Sequence, residues 1–375
     1  MSYSNTYRRK KKKKWTFEII TAVAALLLIA CAYSGDIDPQ RFFPAPFMVL
    51  AFMPMLILVF VLLVLAVIWR RWVAIAAIAL SLLISLPTVK IFMPFNTSEN
   101  RPPVPADTTL ILKVMTYNVL AFNYNEPQLG NAPSKTMKLI LDSNPDVVLL
   151  QEGSCRGVDW SEVPSLKPYM AELKSRYPYT YQSNEGLSMI SKYPFTTFPL
   201  GECRNARSVL GYNRDQSSHL ARAYDMQLPN GKQLRIVDFR LQSYHLSFGK
   251  NMSVRVSPDA KPSPIERMKR SFALRGSDAA AVRAAIDASP ANLIVCGDMN
   301  DVSTSHTYRV IKGHDLIDAW ADVGRGYAYT YNRHGLRFRI DHVLYRGDIT
   351  ALNAHRLKGG SSDHYPLMVE FDIDN

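Results

Sequence analysis

Two carboxylates and an amide fall within four residues, at Asp298, Asn300 and Asp301, directly after the apolar run Leu293-Ile294-Val295-Cys296. Gly297 lets the backbone turn between run and cluster. The same pattern recurs along the chain. Asn118 closes one apolar run and Glu152 another, and Asp363-His364 stand just before the last one. Carboxylate and amide oxygens gathered at strand ends are hard ligands, suited to Mg²⁺, with Mn²⁺ or Ca²⁺ as alternatives, and not to a metal that prefers thiolates. At any single position a polar turn explains the residues equally well, because Gly, Asp and Asn are turn formers. Recurrence of one chemical kind at one kind of position argues for a shared site.

The elements that must position these residues follow from apolar periodicity. Residues 110–116, 146–150, 187–191, 221–228, 233–241, 293–296, 337–345 and 367–373 read as strands, with Pro229-Asn230-Gly231-Lys232 as a hairpin turn between two of them. Residues 136–143 place Met137, Ile140 and Leu141 at helical spacing, and 264–288 form a long amphipathic helix. Strands alternating with helices, with hairpins mixed in, predict an α/β or α+β fold built on mixed sheets with helices outside.

The set Tyr117-Asn118, Gln151-Glu152, Gly297 to Asp301, Arg339-Ile340-Asp341-His342 and Ser362 to Pro366 resembles the endonuclease/exonuclease/phosphatase family, over about residues 110–375. The resemblance implies a DNase I-like, four-layer sandwich of two mixed β-sheets flanked by helices, and metal-assisted hydrolysis of a phosphoester. It implies that Glu152 holds the divalent cation, with Asn118 and Asp363 in its network. Asp298 would orient or deprotonate the attacking water and Asn300 would position it. His364 would contact phosphate oxygens, held in its tautomer by Asp341. A phosphodiester is anionic and repels a nucleophile, so a cation and a base are what the reaction needs.

One position departs from the family pattern. Arg240 stands in Val237-Asp238-Phe239-Arg240-Leu241, where the family usually has a histidine. Arginine binds phosphate bidentately but cannot act as an acid near neutral pH. Two outcomes are open: a working phosphate clamp in an altered active site, or a catalytically impaired module that binds phosphate ligands without turnover. His245 lies five residues on and is expected to be exposed. His342 neighbours Asp341 in a strand, so it should face away from the site.

The first 93 residues are of another kind. Residues 15–33, 47–69 and 72–88 are apolar enough to span a bilayer, and Arg8 to Lys14 form a basic block before the first. Lysine and arginine mark the cytoplasmic side, so residues 1–14 and the Arg70-Arg71 turn belong inside. Three spans then carry the C-terminal domain out of the cytoplasm, so the expected location is a cell inner membrane with that domain in the periplasm. The combination resembles a membrane-anchored, Bacteroidetes-like version of the family. Residues 94–109, with four prolines, read as a spacer that lifts the domain off the bilayer. From residue 90 onward 34 basic and 29 acidic residues leave a net of +5, out of +12 for the whole chain. That mild excess is compatible with a nuclease but is no nucleic-acid footprint. The substrate classes left open are a nucleic acid, a phospholipid head group and a small phosphoester. A transporter is excluded, because the spans carry one acid, Glu18, near an end. Cys155 and Cys203 are a possible disulfide pair in an oxidising compartment.

Overall fold

The computed structural model describes residues 2–97, 110–126, 129–202, 219–243, 263–333 and 335–373. Three helices come first: α1 (Ser2–Tyr33), α2 (Ala45–Ile68) and α3 (Trp72–Phe92). Each contains a stretch long and apolar enough to cross a membrane. The third runs four residues past the expected end. Pro87 sits inside it, and a proline removes one helical hydrogen bond without always ending the helix.

Two six-stranded mixed sheets follow. The first is ordered β13-β14-β1-β2-β4-β3, from β1 (Ile111–Asn118), β2 (Val147–Gln151), β3 (Tyr179–Tyr181), β4 (Ser188–Ser191), β13 (Thr350–Arg356) and β14 (Leu367–Asp372). The second is ordered β5-β6-β7-β8-β12-β9, from β5 (Phe195–Glu202), β6 (His219–Gln227), β7 (Gln233–Arg240), β8 (Leu293–Asp298), β9 (Ile317–Asp318) and β12 (Asp341–Arg346). A separate hairpin, β10 (Tyr331–Arg333) and β11 (Leu336–Phe338), lies between them in sequence.

Alternation along the strands divides the side chains between layers. Val114, Leu149, Ile236, Ile294, Cys296 and Val343 pack between the two sheets. Met115, Tyr117, Val148 and Leu150 face Met137, Ile140 and Leu141 of the helix Lys135–Ser143. Val237, Phe239, Val295 and Leu344 face Ala279, Val282 and Ile286 of the helix Pro264–Asp287. The result is helix, sheet, sheet, helix, the four-layer sandwich.

The expected strand over 337–345 is broken in two at Arg339. That side chain turns inward to a bidentate pair with Asp318, at 3.0 and 2.9 Å, both residues being buried. Strands β5 and β13 escape the sequence pattern. Pro199 interrupts β5, which is an edge strand, and β13 carries a register shift between Ala351 and Asn353 that breaks its alternation.

The start of the expected spacer is not free. Phe95 forms a bridge with Arg325, and the Asn96 amide donates to the carbonyl oxygens of Ala321, Asp322 and Gly324. Residues 98–109 lie outside the described residues. The sandwich rests on one end of the three-helix bundle. Arg309 donates to the Ala32 carbonyl oxygen at 3.1 Å and pairs with Asp36 at 2.9 Å. Arg339 reaches the Ile91 carbonyl oxygen at 3.0 Å. Gly35 lies so close that a Cβ there would stand 1.8 Å from the Thr304 carbonyl oxygen. Val302 and Ile340 join a buried cluster with Leu28, Phe52, Leu56 and Phe92 of the three helices.

Candidate active site

Strand register assembles the site in two rows. In the second sheet, parallel β7 and β8 set Arg240 beside Asp298, and antiparallel β8 and β12 set Asp298 beside Asp341. In the first sheet, parallel β1 and β2 set Asn118 beside Gln151, and Glu152 follows. Gly297 permits the crowding: a Cβ there would meet the Phe239 carbonyl oxygen at 2.1 Å, and its φ is +150°. Glu152 and Asn300 hold φ of +52° and +48°. Such left-handed non-glycine conformations cost on the order of 1–3 kcal/mol each and persist where surroundings over-determine them.

Side chains cross between the rows. The Asn118 amide donates to Glu152 Oε1 and to Asp298 Oδ2, each at 3.0 Å. Asn300 donates to Asp298 twice, from its backbone N–H to Oδ1 at 2.8 Å and from Nδ2 to Oδ2 at 3.1 Å. Its amide also holds the Leu241 carbonyl oxygen at 2.9 Å. His364 Nδ1 lies 2.9 Å from Asp341 Oδ2, which leaves Nε2 for a ligand. Ser362 donates to the Asn118 carbonyl oxygen at 2.7 Å and accepts from the His364 N–H at 3.1 Å, tying the segment before β14 to β1. Asn118, Asp298 and Asp341 are 1% exposed and His364 is 5% exposed, so the charges of the three titratable groups act in a low dielectric.

Ionisation follows from this crowding. Burial, then the Asp341 charge, raise the Asp298 carboxyl to about 6, against the pull of His364 and Arg240. Burial disfavours the charge on His364, but Asp341, Asp298 and Asp363 outweigh it and raise its pKa to about 10. Burial likewise works against Glu152, yet Arg240 and Asn118 hold it below the usual carboxylate value.

Asp298, Asp341 and His364 each place a ligand atom within 4.8 Å of the others. Glu152 approaches that trio through Asn118. Asp363 has its Oδ2 3.2 Å from Arg333 Nη1, and its charge also acts on His364. Arg240 is not free: its Nη2 donates to Glu152 Oε1 at 2.6 Å. His342 points the other way, into the core, with its ring 5.1 Å from that of Tyr308. His245 and Cys203 lie outside the described residues, and Cys155 is buried with its thiol at the Ala121 carbonyl oxygen. The residue set fits a hard divalent cation. Its donors are carboxylate and amide oxygens, and Asp341 Oδ1 is buried with no hydrogen-bond partner.

Three contributors carried no legible sequence signal. Tyr331 packs its ring 5.2 Å from His364, one tyrosine among 19. Asp238 lies beneath the site, accepting from Gln151 Nε2 at 2.5 Å. Arg275 faces Asp301 at 3.5 Å from within the core.

The sequence model of the Endonuclease/Exonuclease/phosphatase family matches residues 115–364, and that of a domain of unknown function matches residues 14–92. No curated protein matches the chain. Among solved structures, D. rerio TDP2 complexed with a single-strand DNA product is 16% identical, over 70% of this chain and 99% of its own, with a TM-score of 0.48. The human Nocturnin catalytic domain with bound sulfate is 18% identical, over 73% and 97%, at 0.45. Sphingomyelinase C from Streptomyces griseocarneus is 18% identical, over 70% and 99%, at 0.42.

Proposed function

Since this chain belongs to the endonuclease/exonuclease/phosphatase family, whose model covers residues 115–364, we propose that it is a membrane-anchored, divalent-metal-dependent phosphoesterase that hydrolyses its substrate by in-line attack of water. The observation that carries this reading is the buried arrangement of Asp298, Asn300, Asp341 and His364 at the ends of adjoining strands. Asp298 takes the proton of the attacking water, a task suited to a carboxyl whose pKa lies at about 6. Asn300 and Asn118 fix the direction of that carboxylate. His364, protonated at neutral pH and oriented by Asp341, presents Nε2 to the phosphate oxygens. Glu152 and Asn118 would hold the cation, with the partnerless Oδ1 of Asp341 available to it. When bound, the cation supplies charge neutralisation at the phosphoryl group.

A second reading has one observation in its favour. Arg240 occupies Glu152 at 2.6 Å, the carboxylate assigned to the cation, which is what a phosphate-binding module without turnover would tolerate. One experiment separates the two readings. The full-length protein, purified in detergent, is given bis(p-nitrophenyl) phosphate with Mg²⁺ and compared with Asp298→Ala. The hydrolase reading expects a loss on the order of 10²–10⁴-fold; equal rates for the two proteins leave only the binding module.

The anchor contacts support an extracytoplasmic domain. Ala32, Asp36, Ile91 and Asn96, which hold the sandwich, all lie at the helix ends opposite Arg70-Arg71. In an inner membrane that face is periplasmic. Protease access to the domain after permeabilising the outer membrane alone is the expected result.

A further inference from the structure

Beside the site, on the far side of Ser362, lies a cavity of about 240 Å³ lined by Tyr329, Arg356, Lys358, Gly360, Ser362 and Tyr365. The Arg356 guanidinium is stacked between two rings, 4.2 Å from the centroid of Tyr329 and 4.7 Å from that of Tyr365, and one of its N–H groups holds the Tyr329 carbonyl oxygen. Arg337 lies over the same Tyr329 ring at 5.2 Å. Among the described residues, no carboxylate stands within ion-pair distance of Arg337, Arg356 or Lys358. The nearest acid in sequence, Asp363, is taken by Arg333. The Tyr329 hydroxyl is held below its ordinary pKa by Arg356 first, with Arg337 and Lys358 adding to it.

Cations gathered on aromatic faces without a counter-charge repel one another, and the arrangement becomes favourable when an anion enters. The stacked guanidinium is already ordered, so its planar fork loses little entropy on meeting a phosphate. Position decides what that anion is. Ser362 lines this cavity and also binds the Asn118 carbonyl oxygen and the His364 N–H, so cavity and reaction site share a wall. We propose that the Arg356–Lys358 cavity is a second phosphate subsite, which holds a phosphate of the substrate other than the one being hydrolysed. The enzyme then selects substrates that carry a second phosphate. This rests on the phosphoesterase reading for which group is the substrate, but the subsite itself is measured by binding alone.

The test uses full-length protein in detergent with Mg²⁺ and calorimetric titration of thymidine 5′-phosphate and thymidine 3′,5′-bisphosphate. A parallel pair, glycerol 3-phosphate and glycerol 1,3-bisphosphate, asks whether the two phosphates come on a nucleoside or on a lipid-type head group. The expected result is binding of one bisphosphate about tenfold or more tighter than its monophosphate. Lys358→Ala and Arg356→Gln should each collapse that ratio toward one, and Lys138→Ala, whose exposed ammonium is already paired with Asp142, should leave it in place. Lys358 is exposed, so its replacement tests the idea even if Arg356→Gln disturbs the tyrosine stack. Equal affinities within both pairs, or a ratio unchanged in Lys358→Ala, would overturn the proposal. Loss of bis(p-nitrophenyl) phosphate hydrolysis in every arm with the binding ratio intact would sink the phosphoesterase reading and leave the subsite standing.

Discussion

The pair Arg339–Asp318 lies under the site and against the anchor, and its replacement has a calculable cost. Both side chains are 1% exposed and meet through two hydrogen bonds. Breaking a buried pair by removing one partner costs about 3–5 kcal/mol. In Arg339→Met the stranded Asp318 keeps the Tyr308 hydroxyl at 2.9 Å and the Trp320 N–H at 2.9 Å, which places the loss near the lower end. The Ile91 carbonyl oxygen also loses its donor, adding roughly 1 kcal/mol. About 3–4 kcal/mol is therefore expected in total. The sandwich spans residues 110–373; at about 2.1 cal/mol/K per residue its unfolding entropy is roughly 0.55 kcal/mol/K. The midpoint should fall by about 6 °C, read by calorimetry of the full-length protein in detergent. The double variant Arg339→Met/Asp318→Leu removes both charges and should regain at least half of that, since an apolar pair of similar volume is often neutral. A single variant within about 2 °C of the parent, or a double variant worse than both singles combined, would refute the assignment of this pair as a desolvated, mutually dependent unit.

Other expectations concern the site and its surroundings. Asp341→Asn removes the largest charge that favours protonated His364, whose pKa is raised to about 10; the alkaline limb of the kcat–pH profile should move toward neutrality, and a limb that stays in place would separate His364 from the reaction. His342 is pushed down to about 3, by burial first and by Arg339 second. The unfolded chain therefore takes up a proton below about 6.5 that the folded one refuses, and stability falls as pH drops through that window, by about 1.4 kcal/mol at pH 5.5. His342→Phe should flatten this slope in urea titrations at pH 5.5 and 7.5. Chelation of divalent ions should abolish hydrolysis and added Mg²⁺ should restore it, whereas rates indifferent to chelator would remove the metal from the reaction. Gly35→Ala forces a Cβ toward the Thr304 carbonyl oxygen and should cost about 1–3 kcal/mol, visible as a lower midpoint.

The sequence displayed the site residues singly and concealed how they meet. Asn118, Glu152, Asp298 and His364 are visible because each is polar and sits at the edge of an apolar run, which period and turn chemistry pick out. Their partners depend on register. Nothing in a linear reading sets Arg240 beside Asp298, or pairs Asp363 with Arg333. A buried ion pair is the least visible feature of all, because Arg339 and Asp318 look like any two of 76 charged residues until the chain folds. The sandwich itself was more legible than its edges. Central strands such as β8 are continuous apolar runs, while β5 and β13 owe their pairing to neighbours and carry a proline and a register shift that local pattern reads as loop.

The apolar helical bundle was legible as a set of candidate membrane spans and illegible as part of the site. A retention device needs only a flexible tether, and a tether makes no specific contact with the groups that react. Here three segments that bear site residues touch it. Val302 follows Asn300 by two residues, Ile340 precedes Asp341, and Tyr331 lies against His364; all three pack into the cluster that contains Phe52 and Phe92. Arg309 and Arg339 then fasten the same region to the carbonyl oxygens of Ala32 and Ile91. Such contacts fix the height and tilt of the site relative to the helix ends, because closely packed side chains transmit displacement instead of absorbing it. Asp298 and His364 are therefore held in one orientation to those helix ends. The apolar helices and the packing that holds the site belong to one mechanical unit.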